Sequence, residues 1–389
     1  PIAWLWFQRT AMLLIPFAAW RLGRIASGIA GGASAFALTL LLPGVLNYAG
    51  GVTEPIVALG LMMGVAWAAE NREVKAWLSG LIAVLGRPEA LAAVLPWGLW
   101  AAARRRISWA WIVAGLAAGT LLWIIGDWIS NGKPFALLGK ADKGAEPMRI
   151  QRAAHPAVEM VNRLDLSVAI VLVALATFVA SWIWREQVSR LLGLAVLATG
   201  GAILLATEFG YPGVPRYLIP VLPPLYALAG VGVGRAANLL RRPWQQAAAV
   251  LAMTAGLFAL AGPGAWRADQ VSYDWYTGRV HDEQGLATIV AALGGRGAVI
   301  TCGNYTVDPP AEGSALAWDL DVMLKQVARG GIDDLHTWNP PTLIFIADER
   351  LALFREKVAE RGLASRQIVR TPGWTAFAVA KTPGALCRT

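Results

Sequence analysis

The sequence predicts an α-helical polytopic membrane protein of about ten transmembrane helices with a small C-terminal extracytoplasmic α/β domain. Three observations carry this expectation. Hydrophobic residues make up 56% of the 389 and charged residues 15%, with a mean hydropathy of +0.50, which is too apolar for a soluble domain. Apolar runs of near-spanning length recur from the first residue to residue 262. The remainder is polar, with only short apolar runs. The net charge of +9 sits mainly in short loops between the apolar runs, where it sets orientation, so no nucleic-acid partner is expected. Among 19 tryptophans, Trp20, Trp97, Trp100, Trp128, Trp182, Trp184, Trp244 and Trp266 fall near segment ends. An indole prefers the headgroup interface.

Taken in order, the predicted spans are 3–20, 26–47, 54–69, 75–86, 88–103, 108–128, 166–184, 191–207, 217–235 and 244–262. A bilayer core of about 30 Å asks for about 20 helical residues. The pair 75–86 and 88–103 falls short of that. It is broken by Gly86-Arg87-Pro88-Glu89, either a tight turn between two short spans or a kink inside one irregular span.

Orientation follows from the connections. Arg21 with Arg24, Arg72 with Lys75, the run Arg104, Arg105 and Arg106, Arg185 with Arg190, and Arg235 with Arg241 and Arg242 occupy every second one. The positive-inside rule makes these loops cytoplasmic. It places 47–54, 87–89, 130–165, 208–216 and the tail after Pro263 on the outer side of a plasma (inner) membrane. The predicted domains are therefore 1–262 in the membrane and 263–389 outside it. Asp127, beside Trp128, reads as an interface residue.

The stretch 130–165 reads as a surface loop followed by an amphipathic helix near 150–163, lying on the membrane. It sets Lys133, Lys140, Lys143, Arg149, Arg152 and Arg163 against Asp142, Glu146, Glu159 and Asp165. Long loops translocate regardless of charge, so the basic balance is either tolerated or a patch for lipid phosphate.

In the tail, 297–302, 342–347 and 374–380 read as strands, and 283–294, 314–329 and 349–362 as helices. Cys302 and Cys387 are the two cysteines. In an oxidising exterior they pair and close a loop worth about 4 kcal/mol. Two free thiols are the alternative, since spacing does not fix distance. His155, His281 and His336 are too dispersed for a metal motif, and no cofactor loop is present. Asn304-Tyr305-Thr306 is a formal glycosylation sequon of a kind common by chance. No fixed-period repeat or inverted pair of halves appears, which counts against a transporter.

Ionisable residues at or within the membrane are costly and hence functional candidates. Glu54 opens a span as Thr53-Glu54-Pro55, where it serves either the helix start or a site. Arg87, in Arg87-Pro88-Glu89, either pairs with a carboxylate or holds an anion, since a guanidinium matches phosphate oxygens bidentately. The Gly- and Pro-rich turn 208–216 ends in Arg216-Tyr217, either interfacial anchors or part of the same site.

These elements together resemble the GT-C class of polytopic membrane glycosyltransferases, the group of the protein mannosyltransferases and aminoarabinose transferases. The matching pieces are Glu54-Pro55, GRPEAL at 86–91 before the basic loop ARRR, and PRYLIPVLPPLYALAG at 215–230. CG at 302–303 and ALAWDLDV at 315–322 are similar too. The resemblance implies an inverting transfer from a polyprenyl-phosphate sugar on the outer face. It implies Arg87, Arg216 and Tyr217 around the donor phosphate and Glu54 as a carboxylate at the cavity rim. No separate cofactor or metal is implied. Expected partners are membrane lipid, the lipid-phosphate sugar and other membrane proteins.

The family's catalytic aspartate lies in the first outer loop. This chain opens at Pro1, already inside an apolar segment, so that loop is expected upstream in an N-terminal portion. The alternative is a non-catalytic membrane subunit of a larger complex that keeps the fold without the base.

Overall fold

The structure, a computed structural model, describes residues 2–42, 53–131, 153–164, 166–211, 215–308, 313–322, 326–327 and 342–387. The described residues are mostly helical with one small mixed sheet, and the chain divides into two compact units, Pro1–Tyr273 and Asp274–Thr389.

The first unit is built from α1 (Ile2–Thr39), α2 (Glu54–Ala69), α3 (Glu73–Gly86), α4 (Leu91–Ala103), α5 (Trp109–Asn131), α6 (Pro156–Asn162), α7 (Val168–Ile183), α8 (Gln187–Glu208), α9 (Leu222–Ala237) and the start of α10 (Pro243–Ala292). Among the described residues five segments are long and apolar enough to cross a membrane: Trp6–Thr39, Trp109–Gly126, Gln187–Glu208, Pro215–Ala237 and Pro243–Val271. This is an integral membrane protein. The shorter apolar helices α2 and α7 pack among the long ones.

The break predicted at 21–25 lies instead at Ser27-Gly28, where Gly28 has φ of 74°. Arginine is a good helix former, so Arg21 and Arg24 continue the helix, while the φ of 74° and ψ of −161° at Gly28 form a combination open in practice to glycine alone. The pair 75–86 and 88–103 resolves into two helices, with a 3-10 turn at Pro88–Ala90 between them.

Small residues set the tightest packing. Gly230 and Gly234 of α9 lie on the second half of α1, so closely that a Cβ on Gly230 would sit 2.3 Å from the Ala35 Cα. A Cβ on Gly234 would sit 2.3 Å from the Gly31 Cα. In a membrane, where apolar side chains gain little by leaving lipid, such close backbone approach is the main source of helix association. Trp77, fully buried, fits against Gly98 and Gly115 and donates its indole N–H to the Trp111 carbonyl at 2.9 Å.

The basic connections gather at one end of the bundle. Arg21 makes a two-oxygen contact with Glu70 at 2.8 Å and stacks 3.8 Å from the Trp67 ring. Arg106 meets Glu73 at 3.4 Å, Arg235 lies over Trp184, and Asn238 donates to the Ser27 carbonyl. The other ends of these helices carry the Glu54 cluster described below.

The last predicted span, 244–262, is the start of a helix that continues through Pro263 to Ala292 and takes in the helix expected at 283–294. The apolar run ends there; the helix does not, because polarity marks an exit from lipid rather than a helix end.

In the second unit, 297–302 is not a strand but α11 (Arg296–Thr301). A short β-branched run does not distinguish the two states, and here Thr301 bonds back to the Gly297 carbonyl. The strands are β1 (Asn304–Asp308), β2 (Thr342–Ala347), β3 (Ala364–Thr371) and β4 (Trp374–Ala380), in the order β1-β2-β4-β3. Only β1 and β2 run parallel. β3 escaped prediction because its exposed Ser365, Arg366 and Gln367 give it no apolar run. The helix expected at 314–329 is α12 (Gly313–Asp319), which ends ten residues early.

The period of two sorts the sheet's faces. Leu343, Phe345, Ala376 and Ala378 pack with Leu286, Ile289 and Leu316, while Ile344, Ile346, Phe377 and Val379 pack on Phe354 and Val358 of α13 (Leu351–Glu360). Cys302 and Cys387 form a disulfide with Cα atoms 5.5 Å apart.

Of the predicted amphipathic helix, Pro156–Asn162 is helical. Lys133, Lys140, Asp142, Lys143, Glu146, Arg149, Arg152, Asp165 and His336 lie outside the described residues, as does the Asp127 side chain.

Candidate functional site

The residues singled out in three separate connections come together at one end of the first unit. Glu54 is the first residue of α2. Pro55 follows it, preset for the first turn, and the Thr53 carbonyl accepts from Ile56 and Val57. This start leaves Glu54 1% exposed, at a helix N-terminus that favours a carboxylate.

Arg87 is the residue where α3 stops and the 3-10 turn at Pro88–Ala90 begins, with extended φ and ψ of −153° and 123°. Extended backbone is what a residue preceding proline prefers. The guanidinium thereby reaches Glu54, with Nη2 donating to Oε1, and lies 3.9 Å from Glu89 through Nη1. Its Cζ also sits 4.1 Å from the centroid of the Tyr217 ring, so the cation is held between a carboxylate and an aromatic face.

Arg216 and Tyr217 come from the 3-10 turn Pro215–Val221 that leads into α9. Arg216 Nε lies 4.0 Å from the same Glu54 Oε1, and its side chain is 55% exposed, against 13% for Arg87. Two cations therefore share one carboxylate oxygen, one buried and one open to the surface. The four candidates Glu54, Arg87, Arg216 and Tyr217 form one cluster.

Tyr211 belongs to it as well and was not among the residues predicted. Its phenol donates to Glu89 Oε1 at 2.9 Å, and its ring lies 5.7 Å from that of Tyr217. Burial, and then the charge and hydrogen bond of Glu89, push its pKa well above the usual phenol value, so it stays a donor. The signal for it was present in the Gly-Tyr-Pro-Gly turn just before Arg216. Beside it, Glu208 accepts from the Ala157 N–H at 3.0 Å and lies 3.4 Å from His155 Nδ1, tying α6 to the end of α8.

Three buried polar atoms of the cluster, Glu54 Oε2, Arg87 Nε and Glu89 Oε2, have no hydrogen-bond partner among the described residues. Buried polar groups are usually satisfied, so each of these atoms calls for a partner. Among the described residues no three His, Cys, Asp or Glu side chains converge as a metal ion requires.

No family model and no curated protein matches this sequence. Among solved structures the chain is similar to that of ArnT from Cupriavidus metallidurans in the apo state, with a TM-score of 0.57 over 95% of this chain and 82% of that one. The chain therefore has an ArnT-like fold. At 15% identity the likeness to the aminoarabinose transferase is one of backbone path. The chemistry of the cluster rests on this chain's own side chains.

Proposed function

We propose that the protein is a glycosyltransferase that moves a sugar from a polyprenyl-phosphate donor to an acceptor hydroxyl on the outer face of the membrane, with inversion at the anomeric carbon. On this reading the helices make about ten crossings. The basic loops face the cytoplasm, and the second unit lies outside a plasma membrane.

The observation that carries the proposal is the half-exposed Arg216 beside a buried Arg87–Glu54 pair. A guanidinium in this setting is fixed by the pair behind it and turns its remaining N–H donors toward the surface, where a phosphate would meet them bidentately. Arg87 is committed to Glu54 and Tyr217, so its role is to hold the carboxylate and supply positive field rather than to make first contact.

Transfer would form a bond from the acceptor oxygen to the anomeric carbon and break the bond from that carbon to the phosphate oxygen. The electron pair leaves with the phosphate, where Arg216 and Arg87 stabilise it. The acceptor's proton needs a base. Glu54 Oε1 is occupied by the two cations, and Oε2, without a partner among the described residues, is the atom we assign to the hydroxyl.

Sugar transfer from a polyprenyl-phosphate donor, measured in membranes or detergent, tests this. Arg216→Ala and Arg87→Ala are each expected to lower the rate by at least about a hundredfold. Unchanged transfer in both would discard the site, and no transfer by the native chain with any such donor would favour a non-catalytic subunit.

A further inference from the structure

A second site lies in the same unit, toward the end opposite the Glu54 cluster. A cavity of about 710 Å³ opens between α2, α3, α4 and α8. It is several times larger than the roughly 150 Å³ that suffices to bind a small aromatic molecule. Its walls are small and apolar, with Gly60, Gly64, Gly80, Ala92, Ala195 and Ala198 among them.

One end of the lining is different. Arg106 and Arg190 stand there, each beside a tryptophan of the same lining: Arg106 is 5.2 Å from the Trp100 ring and Arg190 is 5.5 Å from the Trp182 ring. Gln187 is the other polar residue at this mouth. Arg106 is met at 3.4 Å by Glu73, whereas Arg190 donates to the backbone carbonyls of Arg185 and Glu186. The Glu186 carboxylate is occupied in capping α8 through Val188 and Ser189. The bordering segments 72–75, 104–106 and 185–190 carry seven cations against the two carboxylates Glu73 and Glu186. The mouth is therefore strongly positive.

Length identifies the occupant. The α8 wall from Gln187 to Ala198 extends about 16 Å at 1.5 Å per residue. That matches the depth of one leaflet, half of a hydrocarbon core of about 30 Å. A phospholipid acyl chain spans one leaflet, as this wall does, whereas a polyprenyl chain is several times longer.

We infer that this cavity binds one acyl chain of an anionic phospholipid from the adjoining leaflet, with its phosphate between Arg106 and Arg190. The tryptophans mark the headgroup level, and the small residues make room for the chain. The inference stands apart from the donor site and does not depend on it.

Native mass spectrometry of the full chain in detergent tests it, with phosphatidylglycerol and phosphatidylcholine of identical chains added, and polyprenyl phosphate in a third arm. Phosphatidylglycerol should be retained about tenfold better than phosphatidylcholine. Arg106→Gln with Arg190→Gln should abolish that preference while leaving the fold intact, since Arg106 is exposed, Arg190 is only half-buried, and glutamine keeps an N–H donor at each place. Ala92→Phe with Ala198→Phe should remove retention of both phospholipids. Equal retention of the two by the native chain, an unchanged preference in the arginine variant, or displacement of phosphatidylglycerol by equimolar polyprenyl phosphate would overturn the assignment.

Discussion

Arg87 and Arg216 share one carboxylate oxygen but differ in what surrounds them, and this difference separates their roles. Arg87 is 13% exposed and Glu54 1%, so Arg87→Ala leaves a buried carboxylate whose nearest cation is 4.0 Å away. Breaking a buried pair costs about 3 kcal/mol or more, read as a lower denaturation midpoint. Arg216→Ala removes a half-exposed side chain and should shift stability by no more than about 0.5 kcal/mol. Equal destabilisation by both would show that Arg216 is an anchor rather than a free hand for phosphate. At this scale the sequence was informative about charge and position but silent about partners. Glu54, Arg87 and Arg216 stood out because ionisable groups near lipid need a reason. That Arg87 would choose Glu54, 33 positions away, over the neighbouring Glu89 depends on helix packing that local sequence does not express.

Among the elements, the membrane helices were the most legible because burial in lipid writes itself into long apolar runs. Glu54–Ala69 matched its predicted bounds, and Val168–Ile183 came within two residues at each end. Breaks were harder. The Ser27-Gly28 break hides inside an apolar stretch, and Pro263 sits inside a helix that tolerates it. Packing was not visible at all, yet it yields a sharp contrast between two helical glycines. Gly230→Ala should destabilise the chain by about 1–3 kcal/mol, because its Cβ would meet the Ala35 backbone at 2.3 Å. Gly256→Ala in α10 has nothing within 4 Å and should be neutral or stabilise by up to about 1 kcal/mol through helix propensity. Thermal denaturation in one detergent checks both. A Gly230 variant as stable as the Gly256 variant would mean that the α1–α9 contact is looser than described.

For the whole molecule, the alternation of basic and non-basic connections sets an expectation of orientation, and the polar tail sets one of a domain from residue 263, whereas the compact units divide after Tyr273. The tail's strands were only partly legible, since exposed β3 lacks an apolar run and α11 has one. The Cys302–Cys387 bridge closes a loop of sequence separation 85 within the second unit. Reduction should therefore lower that unit's stability by about 4 kcal/mol, followed by hydrogen exchange in β2 and β4; unchanged protection would mean the closed loop adds nothing. On the proposed function, the cluster joining Glu54, Arg87, Arg216 and Tyr217 receives a lipid-linked phosphate. The most direct test is an experimental structure of the full chain with polyprenyl phosphate. Phosphate density is expected within hydrogen-bond reach of the Arg216 guanidinium, at the Glu54 end of the bundle. Phosphate held elsewhere, with Arg216 turned to solvent, would contradict it.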